Sequence, residues 1–532
     1  LTDKLVFPDI IVQQGVKERT TLLKNSMNRM KMILSKPQSI AMGTISIMVF
    51  TIISKAMGFI REMVLAAHFG TSWRLDALLV AMDPATSIGG IVTGAIASMM
   101  VPIYIGEQRK KDPECIKAYT TQILFVSSVL LIGFGLLFSI FPGFFTRIFA
   151  PKFNGPEFEY AVRKMRIIGF LPVIQGFHSL ATALLNAEKK YMLASIVQLI
   201  FNVVAIPAII IFAPFFSEAS YLFAFIIGTL MMDAALLYIL RKKIDLKLIT
   251  QTFHNHAIKE TLLLSLPLLF SGSLGIINGI VDKAFASSLD AGSISSLRYA
   301  QTIRAMITSL IVGSLMTTVF TELSQTSVNQ DKIALENRLK KTSNDLLNFM
   351  VPLTFWMILM ARPLIQLLYQ RGEFSADSTN MVTLAFIGYS MTMIFSPVSN
   401  LLMKVFTSHK KTKIPLFITL ISICLNFLFN ALLIKRFGIL GLTLSTSFVS
   451  FVNLIVLNII QKKTFDITFI KKKNTVLILC SSIIVFTLCY LLKDAINNTL
   501  WMVMSNLSFF LLFVYLNRKI LSRIMHRLKN YK

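Results

Sequence analysis

Residues 40–62 read IAMGTISIMVFTIISKAMGFIRE, an apolar run of the length, about 20 helical residues, that crosses a hydrocarbon core. Lys55 sits inside it, and Arg61 and Glu62 close it. A charge held in hydrocarbon is costly unless it faces a partner or a wet cavity. A span that keeps Lys55 therefore points past a mere anchor to a polar path across the bilayer. Working outward, about thirteen further runs of this kind follow, and several carry ionisable residues of their own: Asp83, Asp233, Asp282, Lys283 and Arg304. The pattern predicts an all-α polytopic membrane protein of about 14 transmembrane helices.

Composition sets the same class. Of 532 residues, 55% are hydrophobic and 15% charged, with a mean hydropathy of +0.68, far outside the range of a soluble domain. A β-barrel would show short alternating segments instead. The net charge of +27 would suit a nucleic-acid partner only if the basic residues shared one folded face. They lie instead in short connections: Arg109 to Lys117, Lys189 and Lys190, Arg241 to Lys247, Lys410 to Lys413, and Lys462 to Lys473. That bias places these connections and both chain ends on the cytoplasmic side.

The segment 1–38 is polar and basic. It reads as a surface piece drawn to anionic membrane lipids or as an appended linker, and the first apolar run is too long for a cleavable signal. Cys115, Cys424, Cys480 and Cys489 lack metal-ligand spacing and read as packing residues.

The runs fall into two sets of six, 39–243 and 258–460, followed by two spans in 474–517 and a basic tail, 518–532. The sets resemble each other at a separation of roughly 220 residues. Phe141-Pro142, Ile148-Phe149 and Phe153 match Arg362-Pro363, Leu368-Tyr369 and Phe374; Lys189-Lys190 and Asn202 match Lys410-Lys411 and Asn426. An even number of spans separates the counterparts, so both copies insert the same way round. This predicts two pseudo-symmetric lobes about an axis along the membrane normal, with a central cavity between them.

The order Ser54-Lys55, Gly58-Phe59, Arg61-Glu62, Phe69-Gly70 and Asp76-Ala77 resembles the MurJ (MviN) lipid II flippases of the multidrug/oligosaccharidyl-lipid/polysaccharide exporter superfamily. The stretch Asp282 to Ala300, then Leu368 to Phe374 and Thr412 to Pro415, is similar to that family's segments too. The resemblance covers roughly Ser46 to Ile460 and implies two lobes around a cationic cavity, in a bacterial cytoplasmic membrane. There the diphosphate and sugar of an undecaprenyl-linked precursor would be received. On this resemblance Lys55 stands where the family usually has arginine, and Arg61 and Asp76 match their counterparts. Lys keeps the charge but loses the fork that grips phosphate. Snorkelling to the interface is the alternative for Lys55 and Arg61.

Cations that the resemblance leads one to expect are absent. Ile88-Gly89 and Thr93-Gly94-Ala95 replace an arginine pair ahead of a Glu-Gly-Ala, and Thr302 stands where an arginine is usual. Arg304, deeper in its span, is the expected substitute, with Arg298 assigned to the interface. The substrate-binding set is therefore Lys55, Arg61, Asp76 and Arg304. The resemblance also implies a sodium site of Asp282, Asn426, Asn430 and Thr446 with the Leu442 carbonyl, for which paired asparagines acting as interhelical glue are the alternative. Asp83 is a candidate partner of Lys55, and His178 a core or cavity hydrogen-bonder. No paired-carboxylate or His–Glu spacing suggests catalysis, so no enzyme is expected.

The expected function is a flippase moving an undecaprenyl-diphosphate-linked saccharide, foremost lipid II, by alternating access. A capsule, exopolysaccharide or teichoic-type repeat unit is the second cargo, and a cation-coupled drug exporter the third reading. Partners expected are the lipid-linked glycan, anionic lipids and the cell-wall or polysaccharide synthesis machinery, with no nucleic acid.

Overall fold

A computed structural model describes residues 40–109, 112–249, 255–309, 332–409, 411, 413–466, 472–493 and 498–529. Every regular element among them is a helix. The predicted basic segment 1–38 and the far part of the eighth span, 310–320, lie outside the described residues.

The first half comprises α1 (Ile40–Phe69), α2 (Trp73–Arg109), α3 (Pro113–Ile140), α4 (Pro142–Phe149), α5 (Gly155–Ile168), α6 (Leu171–Ala187), α7 (Tyr191–Phe216) and α8 (Ala219–Leu240). The second comprises α9 (His256–Ala286), α10 (293–309), α11 (Lys332–Leu359), α12 (Ala361–Tyr369), α13 (Ala376–Ser390), α14 (Thr392–Ser408) and α15 (Lys413–Phe465). Outside the repeat stand α16 (Lys472–Leu491) and α17 (Asn498–Lys529), both packed on α11. The predicted tail is no separate piece, because α17 runs through its start to Lys529.

Local chemistry sets several of these boundaries. Asp112 caps α3 by accepting the Glu114 amide at 2.9 Å, with Pro113 at the first helical position, where its missing N–H costs nothing. Asn255 and Ser375 cap α9 and α13 in the same way, accepting from Ala257 and Ser378.

Eight described helices are long and apolar enough to cross a bilayer, or ten if each of two bent pairs counts as one span. The bent pairs show where prediction by hydropathy differs from the structure. The apolar run from Leu346 to Tyr369 reads as one span but turns by 73° between α11 and α12, and α5 meets α6 at a bend of 48°. The eleventh and twelfth expected spans share the 53-residue α15, which reverses at Gly438 (φ 54°, ψ −131°), a conformation open to glycine.

The repeat is borne out helix by helix. After the long α3 come the short α4, then α5 and α6; after the long α11 come the short α12, then α13 and α14, each about 220 residues downstream. In the first half α1 and α8 pack on α7, and α6 on α2; in the second α13 and α14 pack on α15. Between them α9 touches both α2 and α15.

The halves are tied at the end where α1 turns into α2. The Glu373 amide donates to the Ala67 carbonyl at 2.9 Å, Thr71 Oγ1 meets Ser378 Oγ at 2.7 Å, and the Tyr299 hydroxyl donates to the Gly70 carbonyl at 3.1 Å. Gly70 sits at φ 53° with the Glu373 carbonyl where a side chain would begin. Gly70→Ala should therefore lower stability by about 2 kcal/mol or more, from the backbone conformation and the clash together. Thermal unfolding in detergent checks this, and an unchanged midpoint would contradict this view of the closure.

Candidate functional site

Just beneath the tied end, α1 and α10 face each other across a cavity of about 440 Å³. Lys55, Phe59 and Glu62 recur at the i, i+4 and i+7 positions of one helical face of α1, and all three line the cavity with Arg61. From α10 come Arg298, Gln301 and Thr302. Both predicted residues of the first span thus reach the cavity wall.

Glu62 organises this wall. It is 3% exposed and receives a fork from Arg298, Nε at 2.9 Å and Nη2 at 2.8 Å, together with Arg61 Nη2 at 3.1 Å. Arg298 also donates to the Tyr221 hydroxyl at 2.5 Å, while Arg61 donates to Asn202 Oδ1 at 3.3 Å and lies over the Phe201 ring. A buried carboxylate of this kind requires such partners, and here they come from both halves. Lys55 is exposed to the cavity and has no carboxylate in ion-pair reach among the described residues.

Two predicted cavity residues lie elsewhere. Asp76 does not line the cavity: 3% exposed, it accepts the amides of Gly292 at 2.8 Å, Ile294 at 3.3 Å and Ser295 at 2.7 Å. Those amides belong to the start of α10, so Asp76 caps a helix of the other half, in place of holding cargo. Arg304 is turned away as well, donating to Thr392 Oγ1 at 3.3 Å and lying over the Tyr389 ring. Six residues beyond Arg298, it stands about 240° around the helix, whereas 301, 302 and 305 share the face of 298. Arg298, assigned from sequence to the interface, is the α10 cation that lines the cavity.

The predicted cation ligands do come together. Asn430 Nδ2 donates to Asp282 Oδ1 at 3.0 Å and to Asn426 Oδ1 at 2.5 Å, and the Ser445 hydroxyl touches Asn430 Oδ1 and the Leu442 carbonyl. The buried Thr446 hydroxyl lies beside Asp282 without a well-directed hydrogen bond. One carboxylate among neutral oxygens suits a hard monovalent cation, so these residues fit sodium; the Asn430 contacts equally join α15 to α9. No cluster of three or more His, Cys, Asp or Glu suited to a metal occurs among the described residues.

The expected partner of Asp83 is corrected: its carboxylate pairs with Lys283, not Lys55. Asp233 is buried with Oδ1 unpartnered, and His178 is part-buried with Nδ1 likewise.

Of the residues on the cavity wall, Glu62 was given no role by the sequence and Arg298 was assigned to the interface. A carboxylate directly after Arg61 within an apolar run was the available signal, since burial there demands a cation from another helix.

Comparison with known proteins gives a consistent result. The family described as lipid II flippase MurJ matches residues 65–514. A probable lipid II flippase MurJ of Buchnera aphidicola subsp. Acyrthosiphon pisum is 28% identical over 427 residues, 78% of this chain and 82% of the relative. The lipid II flippase MurJ of Burkholderia cenocepacia is 25% identical over 412 residues, 74% and 78% of the two chains. Among solved structures, a lipid II flippase MurJ in an inward closed conformation superposes with a TM-score of 0.77 at 22% identity, covering 90% of this chain and all of that one. An inward-facing multidrug resistance MATE family transporter of the MOP superfamily gives 0.66 at 13%, covering 78% and 94%.

Arg298→Ala should destabilise the protein by about 3 kcal/mol by leaving Glu62 buried without its main partner. Combining it with Glu62→Gln should recover most of that loss. Unfolding midpoints of the two single variants and the double variant check the coupling, and additive losses would contradict it.

Proposed function

This chain belongs to the MurJ lipid II flippase family, and we propose that it carries lipid II from the inner to the outer leaflet by alternating access. The single observation that supports this most is the cavity wall in which Lys55, Arg61 and Arg298 outnumber Glu62. Three bases against one acid leave two positive charges, matching the roughly two negative charges of a lipid diphosphate. A drug exporter for cations would need the opposite sign.

Glu62 holds Arg298 in the bidentate geometry that guanidinium also offers phosphate. An arriving diphosphate therefore competes with Glu62 for a cation already placed on the cavity wall, while Arg61 stays beside the Glu62 carboxylate. Lys55, about 9 Å further along α1 from Arg61, meets the head group as a point charge. With the α1–α2 end shut, entry is from the end carrying the basic connections, which with both chain ends lies on the cytoplasmic side. Rocking of the two lobes then exposes the cargo outward.

The prenyl tail needs an apolar path outside the cavity. A groove of about 350 Å³ between α11 and α17, lined by Pro352, Leu353, Trp356, Phe509, Phe510 and Phe513, supplies one. Asp282, Asn426, Asn430, Thr446 and the Leu442 carbonyl would hold sodium, whose gradient supplies the drive for resetting, roughly 2.3 kcal/mol per charge per 100 mV.

In cells depleted of their own lipid II flippase, this protein should restore growth. Failure despite normal membrane insertion would reassign the cargo to another polyprenyl-linked saccharide, such as a capsule unit. Lys55→Ala and Arg61→Ala should each abolish rescue at unchanged protein level, with Lys55→Arg retaining it; full rescue by both alanine variants would refute the head-group site. Transport should depend on sodium in the parent protein and lose that dependence in Asp282→Asn, and sodium-independent transport by the parent would remove the ion site.

A further inference from the structure

Among the described residues two ion pairs join the halves, and cargo binding accounts for only one. Glu62 on α1 meets Arg298 on α10, and Asp83 on α2 meets Lys283 on α9. In both, the acid belongs to the first half and the base to the second. In both, the first helix of one half reaches the second helix of the other. The repeat spacing of roughly 220 residues lays Glu62 on Lys283, so the first helix of each half contributes to its pair from the corresponding position, with the charge reversed.

The pairs differ in what can reach them. Glu62 and Arg298 line the cavity; neither Asp83 nor Lys283 does. A phosphate in the cavity meets Arg298 on its wall, whereas Lys283 is held by Asp83 off that wall. The Asp83 side chain is 16% exposed, so separating it from Lys283 leaves a largely buried charge unpaired. On α9, the neighbouring Asp282 is already engaged by Asn430. Asp83 is thus the carboxylate in ion-pair contact with Lys283 among the described residues.

We propose that Asp83 and Lys283 are positioning residues for translocation, whose ion pair keeps the α1–α2 end shut until the lobes move, whatever the cavity holds. The role rests on the flippase reading for its purpose, but the closure itself needs no cargo. Head-group binding loosens the pair at the cavity, and the second pair parts only when α2 and α9 separate. Without it, the end would open more often on an empty cavity, against the ties that remain.

The test uses the full chain in cells with Ala305→Cys as a reporter on the cavity wall and the four native cysteines changed to serine. A membrane-impermeant maleimide is added from outside. The reporter protein should label slowly, and Asp83→Asn or Lys283→Met should label at least about tenfold faster. Lys283→Arg and the exchange Asp83→Lys with Lys283→Asp should return labelling toward the slow rate, which a merely structural loss would not allow. Single variants labelling at the reporter's rate, or a folded exchange variant labelling as fast as the singles, would overturn the proposal. So would fast labelling of the reporter protein itself. Growth rescue is scored separately: absent rescue with the expected labelling pattern removes the cargo assignment and leaves the closure standing.

Discussion

The carboxylate of Asp76, shared among three backbone amides of the opposite half, is the contact on which the rest of the arrangement depends. A helix start has amides with no partner of their own, and a buried carboxylate has a charge with no water around it. Each solves the other's problem, and because the two belong to different halves, the solution ties the halves together. Gly292, at φ 90°, adopts the backbone conformation that lets its amide point at the carboxylate. Beneath this contact the Glu62–Arg298 fork forms at fixed height, and beneath that the cavity opens.

Polarity is therefore graded along the cavity axis. Backbone hydrogen bonds hold the end, charged pairs hold the layer below, and the uncompensated Lys55 stands in the open space. Each step down exchanges satisfied groups for available ones. A ligand rich in negative charge meets free cations before it meets the paired ones, which is the order needed for binding to loosen a closure rather than to be blocked by it.

Much of this was legible in the residues. Span length and hydropathy marked the membrane class, and the Phe-Pro and Lys-Lys matches marked the repeat, because turn and interface chemistry is written locally. Direction is not written in hydropathy, so the bend between α11 and α12 was hidden in a single apolar run. Helical phase was hidden likewise: Arg298 and Arg304 differ by six residues, and only the packed position of α10 decides which one faces the cavity. Asp76 carried no readable sign of its role, since backbone amides of any residue type serve as its donors. The meeting of Asp282, Asn426 and Asn430 was anticipated because the family resemblance named them, not because their spacing did.

The paired asparagines carry one more consequence. Asn202 and Asn426 occupy corresponding places in the two halves, yet one accepts from an arginine and the other from an amide that also serves an aspartate. A duplicated scaffold has diverged at the residue facing each asparagine and so acquired two polar centres of opposite electrical preference. Inheritance from a common half-sized ancestor would then explain how one architecture comes to present clustered bases on one flank and a carboxylate among neutral oxygens on the other.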